Sequence, residues 1–294
     1  MTEFLQQTVN GLSLASTYVL VGVGLTLVLG VARVMNYAQG QLLVAGAFIG
    51  YGLVSGGLPW WLAVLAAPIA VALIGIVLRE AIFKRGTDDF LAMFILTIGL
   101  GIVIEQLLVK SWGPGQRKIA SPLDSSVEVL GVVITSGRLF LICVSVPVIV
   151  ALVWVLMRTD LGRRMRATAE NPAMAELVGV DSSRSQVLAF AVGSGLAGLA
   201  GVLLGLAFPF TAFEGGSLLV KALAIVIIGG AGNVVGAILV GVGLGLVEAY
   251  GSAYGIPLGF ATLGAEWSSA YVFVLLIAVL AWRPSGLLRG TGDL

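Results

Sequence analysis

Residues 11–57 decide the fold; they are GLSLASTYVLVGVGLTLVLGVARVMNYAQGQLLVAGAFIGYGLVSGG. The run 11–30 contains no charged residue and has the length, about 20 residues, that a helix needs to cross a hydrocarbon core. A short polar interruption that includes Arg33 and Asn36 follows, and a second apolar run covers 41–57. Because backbone polar groups in lipid must be bonded internally, such continuous runs predict membrane-spanning α-helices.

The same character extends over the whole chain of 294 residues, which is 59% hydrophobic and 11% charged and has a mean hydropathy of +1.07. Soluble domains are about 45–50% apolar and about 25% charged. A β-barrel would alternate apolar and polar residues over segments of about ten residues, whereas these runs are continuous. The sequence therefore predicts an all-α integral membrane protein, a polytopic helix bundle in a single domain over 1–294.

The number of crossings depends on one short run. Apolar runs lie near 11–30, 41–57, 59–79, 89–109, 138–157, 185–208, 218–230, 234–250 and 267–282. The run 218–230 is too short to span comfortably, so it is interpreted as a crossing helix, a half-helix or a re-entrant segment. The prediction is therefore about eight or nine transmembrane helices.

The distribution of Lys and Arg predicts the orientation. With the N-terminus outside and every run crossing, the inner side holds Arg33, Arg79, Lys84, Arg85, Arg158, Arg163, Arg164, Arg166, Arg184, Arg283 and Arg289. The outer side holds Lys110, Arg117, Lys118 and Arg138. Eleven against four favours an outer N-terminus, an inner C-terminus and nine crossings rather than eight.

Several chemistries are excluded by what the sequence lacks. Histidine is absent, and the single cysteine, Cys143, lies in an apolar run, so no cofactor and no cysteine-based metal site is expected. The net charge of +1 predicts no nucleic-acid partner. No GxxxxGK[ST] phosphate loop occurs, so this chain is not expected to bind ATP by that route. Because Glu3 precedes the first run and no basic region does, that run is interpreted as a retained helix rather than a signal peptide.

The segment 158–184, on the predicted inner side, contains a short helix. Asn171 followed by Pro172 is typical of a helix start, and Gly179 is typical of a helix end. Between these two residues, the i, i+3, i+4 spacing places three apolar side chains on one face of the helix: Met174, Leu177 and Val178. Docking of this stripe in a groove on a partner, packing on the chain's own helix ends, and attraction of the loop to anionic lipid all stay open.

The other long loop, about 110–137, is predicted to lie outside. Its stretch 127–134 alternates weakly between apolar and polar residues and could form a short hairpin.

Two apolar helices are interrupted, one within 30–48 and one within 220–241. Interrupted helices in two parts of a chain indicate an internal repeat in transporters. The interruptions either line or gate a pathway or are tight turns in which glycine supplies a positive φ. The candidate pathway residues are Asn36, Gln39, Gln41, Thr97, Gly229, Gly230 and Asn233.

Small residues repeat every four positions in two later helices: Gly193, Ala197, Gly201 and Gly205, then Ala237, Gly241, Gly245 and Ala249. This spacing predicts close helix packing. Glu105 and Glu248 are candidate functional residues, because charges inside a membrane are costly. Their positions near the outer helix ends also allow both side chains to reach water.

The sequence resembles a known family at several places. GLTLVLGVARVMNYAQGQLLVAGAF (residues 24–48), RRMRATAENPAMAELVGVDSSRSQVLAFAVGSGLAGLAGVLLG (163–205), KALAIVIIGGAGNVVGAILVGVGLGLVEAYG (221–251) and the terminal RPSGLLRG (283–290) are similar to the LivH-type permease subunit of branched-chain amino acid ABC importers. The resemblance runs from about residue 8 to 290, and it departs from the family at Gln39, where many members have histidine. No titratable group is left in that motif, so no proton relay is expected there.

The resemblance implies a bacterial inner-membrane importer containing a second related permease, two cytoplasmic ATPase subunits and an extracytoplasmic binding protein. It implies that the ATPase contacts a coupling segment made of Arg163, Arg164, Arg166, Asn171, Pro172, Met174, Glu176, Leu177, Val178 and Gly179. The chain would translocate branched-chain or other hydrophobic amino acids by alternating access, and would not itself be an enzyme.

Two alternatives stay open. Similar permeases serve urea, short amides or aromatic acids. From another class, an ion-coupled secondary transporter acting alone would use Glu105 or Glu248, although the shortage of deep acidic residues counts against it.

Overall fold

The computed structural model describes residues 2–83, 90–129, 131–254, 256–257, 262–263 and 268–282. Within these ranges all nine apolar runs are helical. The corresponding helices are α1 Thr2–Ala32, α2 Gln39–Ser55, α3 Trp60–Leu78, α4 Phe90–Trp112, α5 Ser136–Arg158, α8 Ser182–Ala207, α9 Gly215–Gly229, α10 Val234–Tyr254 and α11 Ser268–Trp282. Lys84, Arg85, Arg283 and Arg289, which contributed to the predicted orientation, lie outside the described residues.

Seven helical segments of the described chain are long and apolar enough to cross a membrane: Thr2–Ala32, Trp60–Phe83, Leu91–Trp112, Ser136–Arg158, Ser182–Ala207, Ala212–Gly229 and Val234–Tyr254. The third helix is extended by a π-helical turn, Arg79–Phe83, and the ninth is preceded by a 3-10 turn, Ala212–Glu214. The remaining two, α2 and α11, have 17 and 15 residues. The prediction of a polytopic helical membrane protein is confirmed.

Two further helices, α6 Asp160–Glu170 and α7 Pro172–Leu177, lie between membrane helices. The sequence predicted α7 but not α6, because five of the eleven residues of α6 are charged and it has no apolar run. Its start had a signal, since the Thr159 hydroxyl accepts a hydrogen bond from the Gly162 N–H in the manner of an N-cap.

Two small antiparallel hairpins complete the described elements. Strands β1 Ser126–Val129 and β2 Val132–Thr135 confirm the hairpin predicted in the outer loop. Strands β3 Ile256–Pro257 and β4 Thr262–Leu263 follow α10.

Close helix packing at small residues builds the centre of the bundle. A Cβ at Gly201 of α8 would lie 1.9 Å from the carbonyl oxygen of Leu43 in α2. A Cβ at Gly245 of α10 would lie 2.5 Å from the backbone N of Ala15 in α1. The small-residue spacing therefore predicted packing correctly, and it lets backbones approach to distances that a larger side chain would forbid.

Candidate functional site

Helix α7 begins and ends where the sequence predicted. The side-chain oxygen of Asn171 accepts a hydrogen bond from the Met174 N–H at 3.1 Å, and Pro172 occupies the first helical position. Gly179 has a φ of +82°, which glycine adopts without the steric cost of a Cβ. At its C-terminal side, α7 leads directly into α8, whose first turn is capped by Asp181.

The apolar stripe of α7 points away from the rest of the chain. Met174, Leu177 and Val178 are 62%, 80% and 77% exposed, whereas Ala175 on the opposite face is 3% exposed. Packing of this stripe on the chain's own helix ends is therefore wrong. A cluster of exposed aliphatic side chains on a polar loop is the kind of surface that marks an interaction site.

The basic residues of the coupling segment lie on α6 and have different surroundings. Arg163, Arg164 and Arg166 are all exposed, as is Glu176 on α7. The Arg163 guanidinium forms an ion pair with Asp160, and the Arg166 guanidinium donates to the carbonyl oxygen of Leu156. Arg166 therefore also ties α6 to the end of α5.

Arg33 joins the first interruption to α6. It is the only non-glycine residue with a positive φ in the described part of the chain, at 56°. Its Nη2 donates to the carbonyl oxygens of Ala169 and Glu170, at 3.2 and 3.0 Å. These carbonyls belong to the last turn of α6, where a cation also interacts favourably with the helix dipole. Neither segment alone predicts this contact, because Arg33 and α6 are far apart in the chain.

The amides of the first interruption are buried and bonded to one another. Asn36 and Gln39 are 1% and 0% exposed. The Asn36 Nδ2 donates to Gln39 Oε1 at 3.3 Å, and the Asn36 Oδ1 accepts from the Ala38 N–H at 3.1 Å. The Gln39 Nε2 donates to the carbonyl oxygen of Gly193 at 2.9 Å. These bonds satisfy a non-helical segment that could not otherwise stay in a membrane.

Contacts with α1 show how deep this interruption reaches. A Cβ at Gly24 would lie 3.3 Å from Gln39 Nε2. Gly24 precedes Arg33 by nine residues, about 14 Å along a helix, which is roughly half of a hydrocarbon core. With Arg33 at one membrane boundary, α2 therefore begins near mid-depth. Gly40 contacts the start of α9, where a Cβ at Gly40 would lie 2.0 Å from the Gly215 carbonyl oxygen.

The second interruption is a tight turn. Gly230 and Gly232 have φ values of 92° and 81°, and the Asn233 side chain accepts a hydrogen bond from the Gly236 N–H at 2.9 Å. Gly229, at the end of α9, packs directly on Gly236. Asn233 is thus a helix cap as well as a candidate pathway residue.

A cavity of about 250 Å³ separates this turn from α6. Its lining includes Gly30, Leu156, Met165, Arg166 and Asn233. The cavity therefore lies where α1, α5, α6 and the second interruption meet.

The remaining candidate pathway residues are Gln41, which lies at the contact of α2 with α4, and Thr97 on α4. The Gln41 Nε2 donates to Glu105 Oε2 at 2.7 Å. Thr97, which precedes Glu105 by eight residues in α4, is fully buried, and its hydroxyl donates to the Phe94 carbonyl oxygen at 3.0 Å. Glu105 is half-buried, so its contact is with a second helix rather than with water alone.

A buried ionic cluster was not predicted. Lys221 Nζ lies 2.7 Å from Glu248 Oε1 and donates to the Tyr18 hydroxyl at 2.7 Å, while that hydroxyl donates to Glu248 Oε2 at 2.8 Å. Glu248 is 6% exposed, so the expectation that it reaches water is wrong. The sequence feature that could have predicted this ion pair is the presence of opposite charges, Lys221 and Glu248, in two neighbouring apolar runs.

The fold and these surfaces define a polytopic helical membrane protein with interrupted helices and an exposed helix between two of its spans. The family model described as "Branched-chain amino acid transport system / permease component" matches residues 7–280. The chain belongs to this family of permease components, which confirms a transport component rather than an enzyme.

Curated relatives agree over nearly the full length. The chain is 31% identical to the high-affinity branched-chain amino acid transport system permease protein BraD of Pseudomonas aeruginosa, over 97% of this chain and 96% of the relative. It is also 31% identical to the corresponding protein LivH of Escherichia coli (strain K12), over 97% and 95% of the two chains. The permease protein LivM of the same organism is 26% identical, over 97% of this chain and 70% of the relative.

A solved structure shares the fold. A chain of PsaBC from Streptococcus pneumoniae in complex with Fab superposes with a TM-score of 0.52 at 12% sequence identity, covering 95% of both chains. At that identity the likeness concerns the fold alone.

Proposed function

We propose that this chain is the membrane-spanning permease subunit of an ATP-binding-cassette importer for branched-chain or other hydrophobic amino acids. Its assembly contains a second related permease, two cytoplasmic ATPase subunits and an extracytoplasmic binding protein. The observation that carries this proposal is the exposed stripe of α7, on a chain that has no phosphate loop of its own. Names of relatives that specify branched-chain amino acids support the substrate class.

The topology that fits this function has nine crossings in a bacterial cytoplasmic membrane. The chain is a single permease domain with its N-terminus outside and its C-terminus inside. In that orientation the segment 158–184 is cytoplasmic and 110–137 is extracytoplasmic, and the two interrupted helix pairs are halves of an internal repeat. The excess of Lys and Arg on the inner side supports this arrangement.

The route from α7 to the pathway is short. A partner ATPase that holds Met174, Leu177 and Val178 moves α7 together with α6, because only Asn171 separates the two helices. Arg33 then transmits the movement of α6 to the first interruption through its bonds to Ala169 and Glu170. The cavity between α6 and the second interruption gives α6 room to move. Alternating access follows if the two permeases rock about these interruptions.

Reconstitution in proteoliposomes tests the proposal. The chain alone should give no accumulation of leucine, while the complete assembly with ATP and a loaded binding protein should accumulate it. Accumulation by the chain alone under a sodium or proton gradient would contradict the proposal in favour of a secondary transporter. Accumulation of urea, short amides or aromatic acids instead of leucine would change the substrate class and leave the importer class standing.

A further inference from the structure

The contact of Gln41 with Glu105 leaves one buried acceptor atom without a donor among the described residues. A carboxylate only accepts hydrogen bonds, so Gln41 must turn its NH₂ group towards Glu105, as the 2.7 Å contact has it. The amide oxygen Oε1 then points the other way. Gln41 is 6% exposed, and no donor among the described residues reaches this oxygen. A buried carbonyl without a donor is costly and needs an explanation.

The ionic cluster of α1, α9 and α10 is the informative contrast. There, both carboxylate oxygens of Glu248 have donors, from Lys221 and from the Tyr18 hydroxyl. Its charges are balanced and its polar groups are bonded, so it needs no ligand. By contrast, Glu105 has one bonded oxygen and no cation within hydrogen-bonding distance in the described part of the chain.

Two glycines, Gly215 at the start of α9 and Gly101 on α4, face the Gln41 side chain. Its amide lies against Gly215, where a Cβ would be only 2.5 Å from Oε1, so a side chain at this position would displace the amide. On α4, Gly101 faces the Cγ of Gln41, and a Cβ there would still be 3.7 Å away. The pair thus lies just after the first interruption, where the discontinuous helix α2 begins against the first residue of α9, near mid-depth. Substrate sites of transporters are typically built at such discontinuous helices.

We propose that Gln41 Oε1 and the Glu105 carboxylate form the site that binds the ammonium group of the amino acid during translocation. This inference rests on the proposed function. Both free groups are acceptors, and an ammonium is a compact cation with three donors. Gln41 holds the carboxylate through its NH₂ and supplies the second acceptor through its oxygen. In the described conformation Gly215 closes the approach to Oε1, so the site opens when α9 moves relative to α2.

Ligands that keep or lack the ammonium test this directly. The complete importer, without binding protein, is placed in nanodiscs, and binding of leucine, isoamylamine (leucine without its carboxylate) and isocaproate (leucine without its ammonium) is measured by equilibrium dialysis. Leucine and isoamylamine should bind and isocaproate should not. Equal binding of isocaproate, or failure of the wild type to bind the amine, would overturn the proposal.

Matched variants locate the site. Glu105→Gln keeps the size of the side chain and removes its charge, and it should weaken leucine and isoamylamine binding by about tenfold or more. The double variant Glu105→Gln/Gln106→Glu keeps the net charge but moves the carboxylate to the exposed neighbour, and it should not restore binding. Unchanged amine binding by Glu105→Gln would contradict the proposal whatever its effect on stability.

Uptake by the same samples separates the two claims. If wild-type proteoliposomes do not accumulate leucine, the proposed function fails. If they accumulate it and Glu105→Gln does so at the same rate, only the ammonium site fails. Binding that depends on sodium alone, with no effect of the amine, would assign the pair to an inorganic cation and would overturn the ammonium site.

Discussion

Leu43 in α2 and Leu177 in α7 are the same kind of side chain in two opposite situations. Leu43 is 1% exposed, in a seam where α2 and α8 meet backbone to backbone, whereas Leu177 is 80% exposed. The seam is closed within the chain, so it contributes to the stability of the bundle. The stripe of α7 contributes almost nothing to that stability, and under the proposed function it is bound by a second protein. Leu43 thus belongs to the residues that stabilise the fold, and Leu177 belongs to a surface that the fold leaves exposed.

The largest effect on folding is expected at the seam. Gly201→Leu should abolish folded protein at a cost above about 4 kcal/mol, because a Cβ alone would lie 1.9 Å from the Leu43 carbonyl oxygen. Gly243→Leu is the matched control, since a Cβ there meets nothing within 4 Å. The measurement is the monodisperse fraction in detergent and its thermal unfolding. Equal yields of the two variants would contradict the packing of α2 on α8.

A smaller loss is expected at the ionic cluster. Glu248→Leu should cost about 3–5 kcal/mol, because it leaves Lys221 charged and buried among apolar helices. The double variant Lys221→Met/Glu248→Leu should recover most of this stability, since no unpaired charge remains. Thermal unfolding of both variants is the test, and a double variant no better than the single one would show that the cluster is not a closed pair.

These buried contacts could not be predicted from the sequence, although the helices that make them could. The nine apolar runs and the helical outcome follow from continuous hydropathy, which depends on local composition alone. The depth of Gln39 and the pairing of Lys221 with Glu248 depend on which helices are neighbours, and no local pattern encodes that. The position of Glu248 near a helix end predicts access to water, because its partner on α9 is identified only in the folded chain.

The candidate site was predicted unevenly for the same reason. Asn171, Pro172 and Gly179 act through neighbours in sequence, so the bounds of α7 were predicted well. Gln41 contacts Glu105, 64 positions away in the chain. That its amide oxygen has no donor can be seen only once α2, α4 and α9 are packed together. Likewise, the contact of Arg33 with α6 could not be predicted from either segment alone.

Arg33 connects the buried bundle to the exposed helices, because it bonds the end of α1 to α6. Arg33→Gly keeps a residue that tolerates the positive φ of 56° and removes the two hydrogen bonds. It should cost only about 1–2 kcal/mol of stability but should lower the leucine transported per ATP hydrolysed by the complete assembly. Arg184→Gly, on an exposed arginine of α8, is the control. An unchanged transport-to-hydrolysis ratio would rule out Arg33 as a transmission contact.

The smallest effect on stability and the largest on function are expected together at α7. Leu177→Asp/Val178→Asp should change the free energy of unfolding by no more than about 0.5 kcal/mol, because both side chains are already exposed. The double variant should nevertheless lose its partner ATPase, because two carboxylates cannot be buried in an apolar groove without heavy cost. Val133→Asp, at a 55% exposed position of the hairpin β1–β2, is the control for adding a charge at an exposed apolar residue.

The direct measurement is therefore the amount of ATPase that co-purifies with the Leu177→Asp/Val178→Asp permease, together with leucine uptake by the same preparation. We expect a folded permease with ATPase association and uptake both lost, beside a Val133→Asp permease that keeps both. A double variant that retains its ATPase and transports at the wild-type rate would contradict the claim that α7 is where a second protein drives this one.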